Sequence, residues 1–339
     1  MLIFPCLLLI IKTNKGVINM NNLRKIGLSA LAGSLATFSV NAADLSVSGS
    51  ASISFDDTNR GFGDRGNSFY KGDSLKFNGS GETEGGIGVA VYYELDGTAS
   101  MDDHKLTLTG GFGTLVFDGH GGSSAFGAID DKTPNAYEEA WDVIDTNGAT
   151  TGGVPTVING VSANNMFIYT TPDMGGATLT ASYINGGGSV GTPEGSTSFA
   201  LKVAPEAMEG LTLGMGVSNN TTAESVDTDE TTFYATYATG GITVGAQMSD
   251  LDITTTGSDQ ESIAYGITYA VNDDMSIGYS YHELETESTT DEDQKSTGIS
   301  ASYTMGGMTV GAVSNKTDSF GGTAGTDQEF TEVSLSFAF

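Results

Sequence analysis

Apolar residues recur at every second position through most of this chain. Leu45, Val47, Ala51, Ile53 and Phe55 alternate with Ser46, Ser48, Ser50, Ser52 and Ser54, the period of a strand with one apolar and one hydroxylic face. The same writing returns in Leu75/Phe77, Ile87/Val89/Val91/Tyr93/Leu95, Leu106/Leu108 and Leu115/Phe117. It resumes in Phe167/Tyr169, Leu179/Ala181/Tyr183, Phe199/Leu201/Val203 and Leu211/Leu213/Met215/Val217. Seven further segments carry it to the C-terminus, headed by Phe233, Ile242, Ile263, Met275, Ile299, Met308 and Val333, which makes sixteen predicted strands.

From about His120 to Asn164 the alternation stops. This stretch holds Asp130, Asp131 and the run Thr133-Pro134-Asn135-Ala136-Tyr137-Glu138-Glu139-Ala140-Trp141-Asp142-Val143-Ile144-Asp145. Connections this long without strands are uncommon and tend to be functional. Pro134 after Thr133 suits the start of a short helix, on which Tyr137, Trp141 and Ile144 fall at helical spacing. One side of that helix could pack on a wall, leaving Glu138, Glu139, Asp142 and Asp145 on the other.

The connections alternate in length. Tight turns such as Glu84-Gly85-Gly86, Gly110-Gly111-Phe112, Thr239-Gly240-Gly241 and Met305-Gly306-Gly307 follow even-numbered segments, and longer polar loops such as 57–72, 219–230, 283–294 and 315–327 follow odd ones. Short turns at one end and long loops at the other are how outer-membrane barrels are built, with an apolar face toward lipid and a polar lumen. Residues 43–119 and 165–339 offer roughly 16 residues per strand and connection, enough for the roughly 10 that a tilted spanning strand needs. The predicted fold is therefore all-β, a transmembrane antiparallel barrel of sixteen strands over residues 43–339, with residues 120–164 folded into its lumen.

The first 42 residues read as processing signals. Met20 to Lys25 is a basic start, Ile26 to Val40 an apolar run, and Val40-Asn41-Ala42 a small-residue cleavage site, the layout of a secretory signal peptide over 20–42. Residues 1–19 read as an extension from an early start codon, and Cys6, the sole cysteine, lies in it. Loss of Lys12, Lys15, Arg24 and Lys25 with the leader takes the net charge from −29 to −33. Acidity of this degree speaks against nucleic acid as a partner, since phosphates would be repelled, and serves equally as a solubility device or a field acting on ions.

Two internal stretches resemble one family. Asn165-Met166-Phe167-Ile168-Tyr169-Thr170-Thr171-Pro172, continuing through Gly175-Gly176 to Tyr183, resembles the hairpin that follows the constriction loop of Gram-negative general porins. Gly111-Phe112-Gly113-Thr114-Leu115-Val116-Phe117-Asp118-Gly119 resembles the strand that leads into that loop, and Val333 to Phe339 resembles the C-terminal assembly signature of outer-membrane barrels. The resemblance implies a sixteen-stranded, trimeric porin of the alphaproteobacterial kind, inserted by the barrel-assembly machinery into outer-membrane lipid and lipopolysaccharide and passed by small hydrophilic solutes. It also implies a departure. Where relatives often carry arginine before the loop and an arginine cluster on the opposing wall, this chain has Asp118-Gly119-His120, and arginine after the leader is confined to Arg60 and Arg65.

Alternation assigns faces: if Phe77, Leu106, Phe117 and Leu201 point to lipid, then Lys76, Lys105, Asp118 and Lys202 point inward, and His120 is placed on the same pore wall. The expected constriction sets the acidic group Asp130, Asp131, Glu138, Glu139, Asp142 and Asp145 against this sparse basic wall. No enzyme chemistry and no cofactor are expected. Asp291, Glu292 and Asp293 offer hard oxygen ligands that suit Ca²⁺ but lack EF-hand spacing, so solvated loop charge is the simpler account. Gly61-Phe62-Gly63-Asp64-Arg65-Gly66 fits a dinucleotide fingerprint without the βαβ unit it needs. The leading expectation is a cation-preferring diffusion channel of the cell outer membrane; a substrate-selective channel, a barrel enzyme, or a secreted acidic adhesin or surface-layer protein are the alternatives.

Overall fold

The computed structural model describes residues 44–60, 68–97, 99–141, 158–185, 193–222, 227–254, 259–287 and 292–339. The expected extension, signal peptide and cleavage site, together with Asp142, Ile144, Asp145 and Asp291, lie outside these residues. The strands are β1 (Asp44–Arg60), β2 (Ser68–Glu82), β3 (Gly88–Asp96), β4 (Ser100–Gly110), β5 (Gly113–His120), β6 (Gly122–Ser123), β7 (Ser162–Ala163), β8 (Met166–Thr170) and β9 (Ala177–Asn185). They continue as β10 (Pro193–Val203), β11 (Leu211–Thr222), β12 (Asp227–Thr239), β13 (Ile242–Ile253), β14 (Gln260–Ala270), β15 (Met275–Thr286), β16 (Gln294–Met305), β17 (Met308–Asp318) and β18 (Gln328–Ala338).

Sixteen of them form one closed antiparallel barrel. Each barrel strand pairs with its neighbours in the chain, except that β5 pairs directly with β8 and β1 closes the ring against β18. The two-residue strands β6 and β7 pair only with each other, Gly122 with Ala163 and Ser123 with Ser162, tying the two ends of the inserted segment. Closure leaves no strand edge unpaired, the condition for crossing a hydrocarbon layer with strands. No helix among the described residues is long and apolar enough to cross a membrane.

The burial pattern is inverted relative to a water-soluble protein. Leu45, Ile53, Phe69, Tyr183, Met215, Met248 and Ile299 are among many large apolar side chains exposed on the barrel, and they fall at the outward positions that period 2 assigns. Buried positions on the strands are largely hydroxyl and amide, including Ser182, Ser196, Ser198, Thr232, Gln247 and Ser296. Among the described residues the buried apolar core is small, and the inserted segment contributes nearly half of it: Ala125, Phe126, Ile129, Ala140, Trp141 and Ile158.

Several expected loops are strand. β1 runs to Arg60 and β2 begins at Ser68, within the expected loop 57–72; β11 and β12 likewise extend to Thr222 and from Asp227, within 219–230. In these extensions the backbone ladder persists although the residues are mostly polar, with Phe69 and Tyr70 on β2 the exceptions. Asn219 donates to Asp229 at 2.8 Å and Thr221 to Asp227 at 2.8 Å across the same hairpin. Backbone pairing does not depend on hydropathy, so the ladder continues where the apolar signal ends.

The seam is completed by the last residue. Phe339 and Gly49 exchange two backbone hydrogen bonds, at 2.7 and 2.9 Å, and the Phe339 ring lies so close to Gly49 that any side chain there would meet it. Deleting Phe339 is expected to weaken closure of β18 on β1 and to lower the amount of heat-modifiable, membrane-embedded protein, with export unchanged. Gel mobility of heated and unheated membrane fractions measures this; equal amounts of folded barrel in both proteins would refute it.

Candidate functional site

From Gly121 onward the chain leaves β5 and travels across the polar face of the wall, bonded to one strand after another. Ala125 donates its N–H to Ser182 Oγ on β9 at 2.9 Å, and Phe126 to Ser198 Oγ on β10 at 3.2 Å. Gln247 on β13 clamps the middle of the segment: its Oε1 accepts from the Lys132 N–H at 2.7 Å, and its Nε2 donates to the Ile129 carbonyl at 2.8 Å. Ala136 donates to Ser300 Oγ on β16 at 3.1 Å, and Asn315 Nδ2 on β17 donates to the Glu139 carbonyl at 2.8 Å. The Tyr137 hydroxyl reaches Glu332 on β18 at 2.5 Å. These partners lie on the strand positions that alternate with the exposed apolar ones, so the segment occupies the inner side of the barrel.

Inward glycines make room for it. A side chain at Gly216, Gly245, Gly266, Gly278, Gly298 or Gly311 would run into Ile129, Pro134, the Pro134 carbonyl, Ala136, Ala140 or the Tyr137 ring respectively. The strands thus offer a shallow track of absent side chains beneath the segment. The return limb is fixed as well: Ser124 N–H bonds the Val161 carbonyl at 2.9 Å, and Gly160 N–H donates to Asp130 Oδ2 at 2.7 Å.

The expected helix at Pro134 does not form. Residues 131–135 are without regular structure and 136–141 are bends and a turn. An α-helix needs its N–H and C=O groups for its own i to i−4 ladder, whereas those of Lys132, Ala136 and Glu139 are committed to wall side chains. Tyr137 and Trp141 still pack on the wall, but from a bent, non-helical segment; Trp141 sits 4.8 Å from the His282 ring.

The acidic group divides. Asp130 is turned into the insertion, where burial pushes its carboxyl above the usual range while the Gly160 N–H pulls it back. Tyr137 is held well above its ordinary range by burial and by its bond to Glu332. Glu138 and Glu139 are half-buried, and Glu139 accepts from Asn135 Nδ2. Asp131 is likewise half-buried.

The wall lysines are inward, and two of them are matched locally. Lys76 Nζ lies 3.3 Å from Glu94, which also accepts from Ser74 at 2.6 Å and from the Tyr92 hydroxyl. Lys105 Nζ lies 2.7 Å from Asp103 and 3.6 Å from the buried Asp118, with Tyr92 beneath it at 5.3 Å. Lys202 lines a recess under the start of the inserted segment, together with Lys132, which sequence reasoning passed over. His120 is not on this wall. Phe77 pairs with Tyr93, Tyr93 with His104 and His104 with His120, and directly paired residues share a face. A register shift between Lys105/Asp118 and His104/His120 turns His120 onto the outward side, where its ring stacks on His104 at 6.4 Å.

Of the carboxylates weighed as Ca²⁺ ligands, Asp293 lies 3.4 Å from Lys295 and Glu292 accepts from Ser319 Oγ at 3.0 Å, while Asp291 lies outside the described residues. Carboxylates approach one another at Glu94, Asp96 and Asp102, whose oxygens lie within 4.8 Å, but Glu94 is already part of the Lys76 network. The anchors Gln247, Ser198, Ser300 and Asn315 were not singled out from sequence. Their signal was present only as polar residues at inward positions, a description that fits dozens of others.

A model of the Gram-negative porin family matches residues 27–339. No curated protein matches the chain in sequence. Among solved structures, an anion-selective porin from Comamonas acidovorans is similar at a TM-score of 0.64 and 16% identity, over 88% of this chain and all of that one. OmpT, an outer membrane protein of Vibrio cholerae, is similar in its trimer form at 0.66 and 13%, over 88% of this chain and all of the other. A mutant of Rh. blastica porin is similar at 0.62 and 16%, over 87% and 100%. The closed sixteen-stranded ring with its inward segment, the apolar outer face and the family match over nearly the whole chain agree: this protein belongs to the Gram-negative porin family and is an outer-membrane β-barrel channel.

Proposed function

We propose that the channel carries small hydrophilic solutes and ions by passive diffusion, that the inserted segment narrows it, and that it prefers cations. The observation that supports the reading is the seating of residues 121–141, the segment that carries Glu138 and Glu139, across the inner wall from β9 to β18. The sign follows from charge. The chain carries −29 overall, and Lys76 and Lys105 are each matched by wall carboxylates, so they oppose the acidic segment weakly. A low-dielectric wall focuses such a field into the pore. A neighbour of the same fold is anion-selective, so fold leaves the sign open and the lining decides it.

The trimer form of OmpT supports assembly as a homotrimer. Outer-membrane lipid and lipopolysaccharide would cover the apolar belt, and the barrel-assembly machinery would receive β18. Export would use residues 20–42 as a cleaved signal peptide. Family and fold favour a channel over a barrel enzyme.

Single-channel recording in planar bilayers tests the function. Stepwise openings are expected, with a reversal potential on the cation side in a KCl gradient. The preference should fade toward 1 M salt, where the screening length falls to about 3 Å. Absence of steps would overturn the channel reading, and an anion-side potential the cation preference alone.

A further inference from the structure

An acidic channel still holds one place built for an anion. Beneath the start of the inserted segment lies a recess of about 480 Å³ lined by Ala128, Ile129, Lys132, Lys202, Thr212, Tyr234 and Thr236, within the range of about 300–1,000 Å³ typical of small-molecule sites. No carboxylate is among its lining residues. Lys202 comes from β10 and Lys132 from the segment, so two ammonium groups on independent supports share one recess. Neither makes an ion pair among the described residues, unlike Lys71, Lys76, Lys105, Lys295 and Lys316. Of the two acids that precede Lys132, Asp131 is half-buried and Asp130 accepts from the Gly160 N–H at 2.7 Å while also feeling the Lys132 charge, and neither lines the recess.

The supports are fixed. Gln247 holds the segment on both sides of the recess through Lys132 N–H and the Ile129 carbonyl, and its Nε2 also donates to Thr232 Oγ1 at 2.8 Å. Tyr234 is buried to 3% exposure, its ring lying over Gly214 where a side chain would collide with it. Thr212 and Thr236 face each other across β11 and β12, adding hydroxyl donors, while Ala128, Ile129 and the Tyr234 ring supply an apolar side.

We infer that this recess is a binding station for small organic dianions, phosphate monoesters or dicarboxylates, whose oxyanion ends meet Lys132 and Lys202 and whose carbon skeleton rests on Ala128, Ile129 and Tyr234. Charge-assisted hydrogen bonds to oxyanions are the strong class, and Lys is a donor suited to them. Such a station holds a solute briefly inside the narrow part of the pore, which turns a sieve into a channel with a graded preference. The inference rests on the channel reading for its role in transport, though binding itself does not.

The test uses glycerol phosphate and succinate as ligands, inorganic phosphate as the bare oxyanion and glycerol as the neutral control. Added to one side of a bilayer at low salt, glycerol phosphate and succinate are expected to interrupt the wild-type current in a saturable way. Inorganic phosphate should do so more weakly and glycerol not at all. Lys132→Gln with Lys202→Gln should raise the half-blocking concentration about tenfold or more, the loss expected for two charge-assisted contacts. Lys71→Gln with Lys316→Gln, which removes two lysines outside the recess, should leave block unchanged. Binding to detergent-solubilised protein, followed by phosphorus NMR line broadening with glycerol phosphate, reads the same site without conduction. Heat-modifiable gel mobility confirms that each variant is folded. Equal block in wild type and the Lys132/Lys202 variant, or equal line broadening, overturns the station; absent current steps with line broadening that depends on both lysines supports the site and overturns the channel reading instead.

Discussion

Leucine at Gly266 or Gly311 is expected to unseat the inserted segment and enlarge the unitary conductance while the barrel stays intact. At Gly266 a side chain would fall on the Pro134 carbonyl, and at Gly311 on the face of the Tyr137 ring. Neither obstacle is the free end of a flexible side chain. Pro134 is held between the Gln247 clamp at Lys132 and the Ser300 bond at Ala136, and Tyr137 is tied to Glu332. Overpacking of this kind costs roughly 1–3 kcal/mol, and about 1.4 kcal/mol is a tenfold change in an equilibrium, so the seated form should lose roughly tenfold or more in population. The barrel should tolerate the change, since strand pairing on both sides of each glycine is backbone to backbone and glycine contributes little to a strand. Gly81 on β2 faces open space, so Gly81→Leu serves as control. Recording in bilayers and sugar-driven liposome swelling read the pore, and heat-modifiable mobility reads the barrel. Wild-type conductance in Gly266→Leu, or an equal increase in Gly81→Leu, would show that the segment does not limit the pore.

Glu138→Gln with Glu139→Gln should move the reversal potential most of the way toward that of an unselective pore at low salt. A unit charge about 7 Å from a passing ion acts with about 0.6 kcal/mol in water, of which about half survives screening at 0.1 M. The same charge favours the cation and disfavours the anion. For two charges the cation-over-anion ratio therefore falls by roughly fivefold to tenfold. Conductance steps should persist, because the Glu139 carbonyl and the Tyr137 hydroxyl still hold the segment to the wall. Glu292→Gln with Asp293→Asn removes the same charge where Asp293 already faces Lys295, and should shift the potential much less. If the second pair shifts it as far as the first, the field arises from the whole acidic surface and the inserted segment holds no special place in selection.

Much of the wall was readable because its physics is local. A strand facing lipid on one side and polar groups on the other must alternate, so sixteen strands, their faces and the inward placement of Lys76, Lys105, Asp118 and Lys202 follow from hydropathy alone. The readable part ended where that signal ended. Beyond the alternating stretches the residues are mostly polar, yet β1, β2, β11 and β12 continue past their expected limits. His120 was misplaced for a related reason: strict alternation carries it inward, but the register shift beside Gly119 adds a residue to β5, and a shift of one position exchanges the faces.

The chain's own residues thus determined the number of strands, the sense of each face and the limits of the segment that interrupts them. The path of that segment was decided in three dimensions. Helix was the reasonable local choice for Pro134 to Trp141, yet Gln247, Ser300 and Asn315, each more than a hundred positions away along the chain, take its backbone groups one strand at a time, and the inward glycines open the track that brings it within their reach. The lysine pairings belong to the same class. Whether Lys105 opposes the acidic segment or is answered by Asp103 and Asp118, while Lys202 stands beside Lys132, depends on which strands close around the ring, because charges act through distance in space and sequence separation does not measure it.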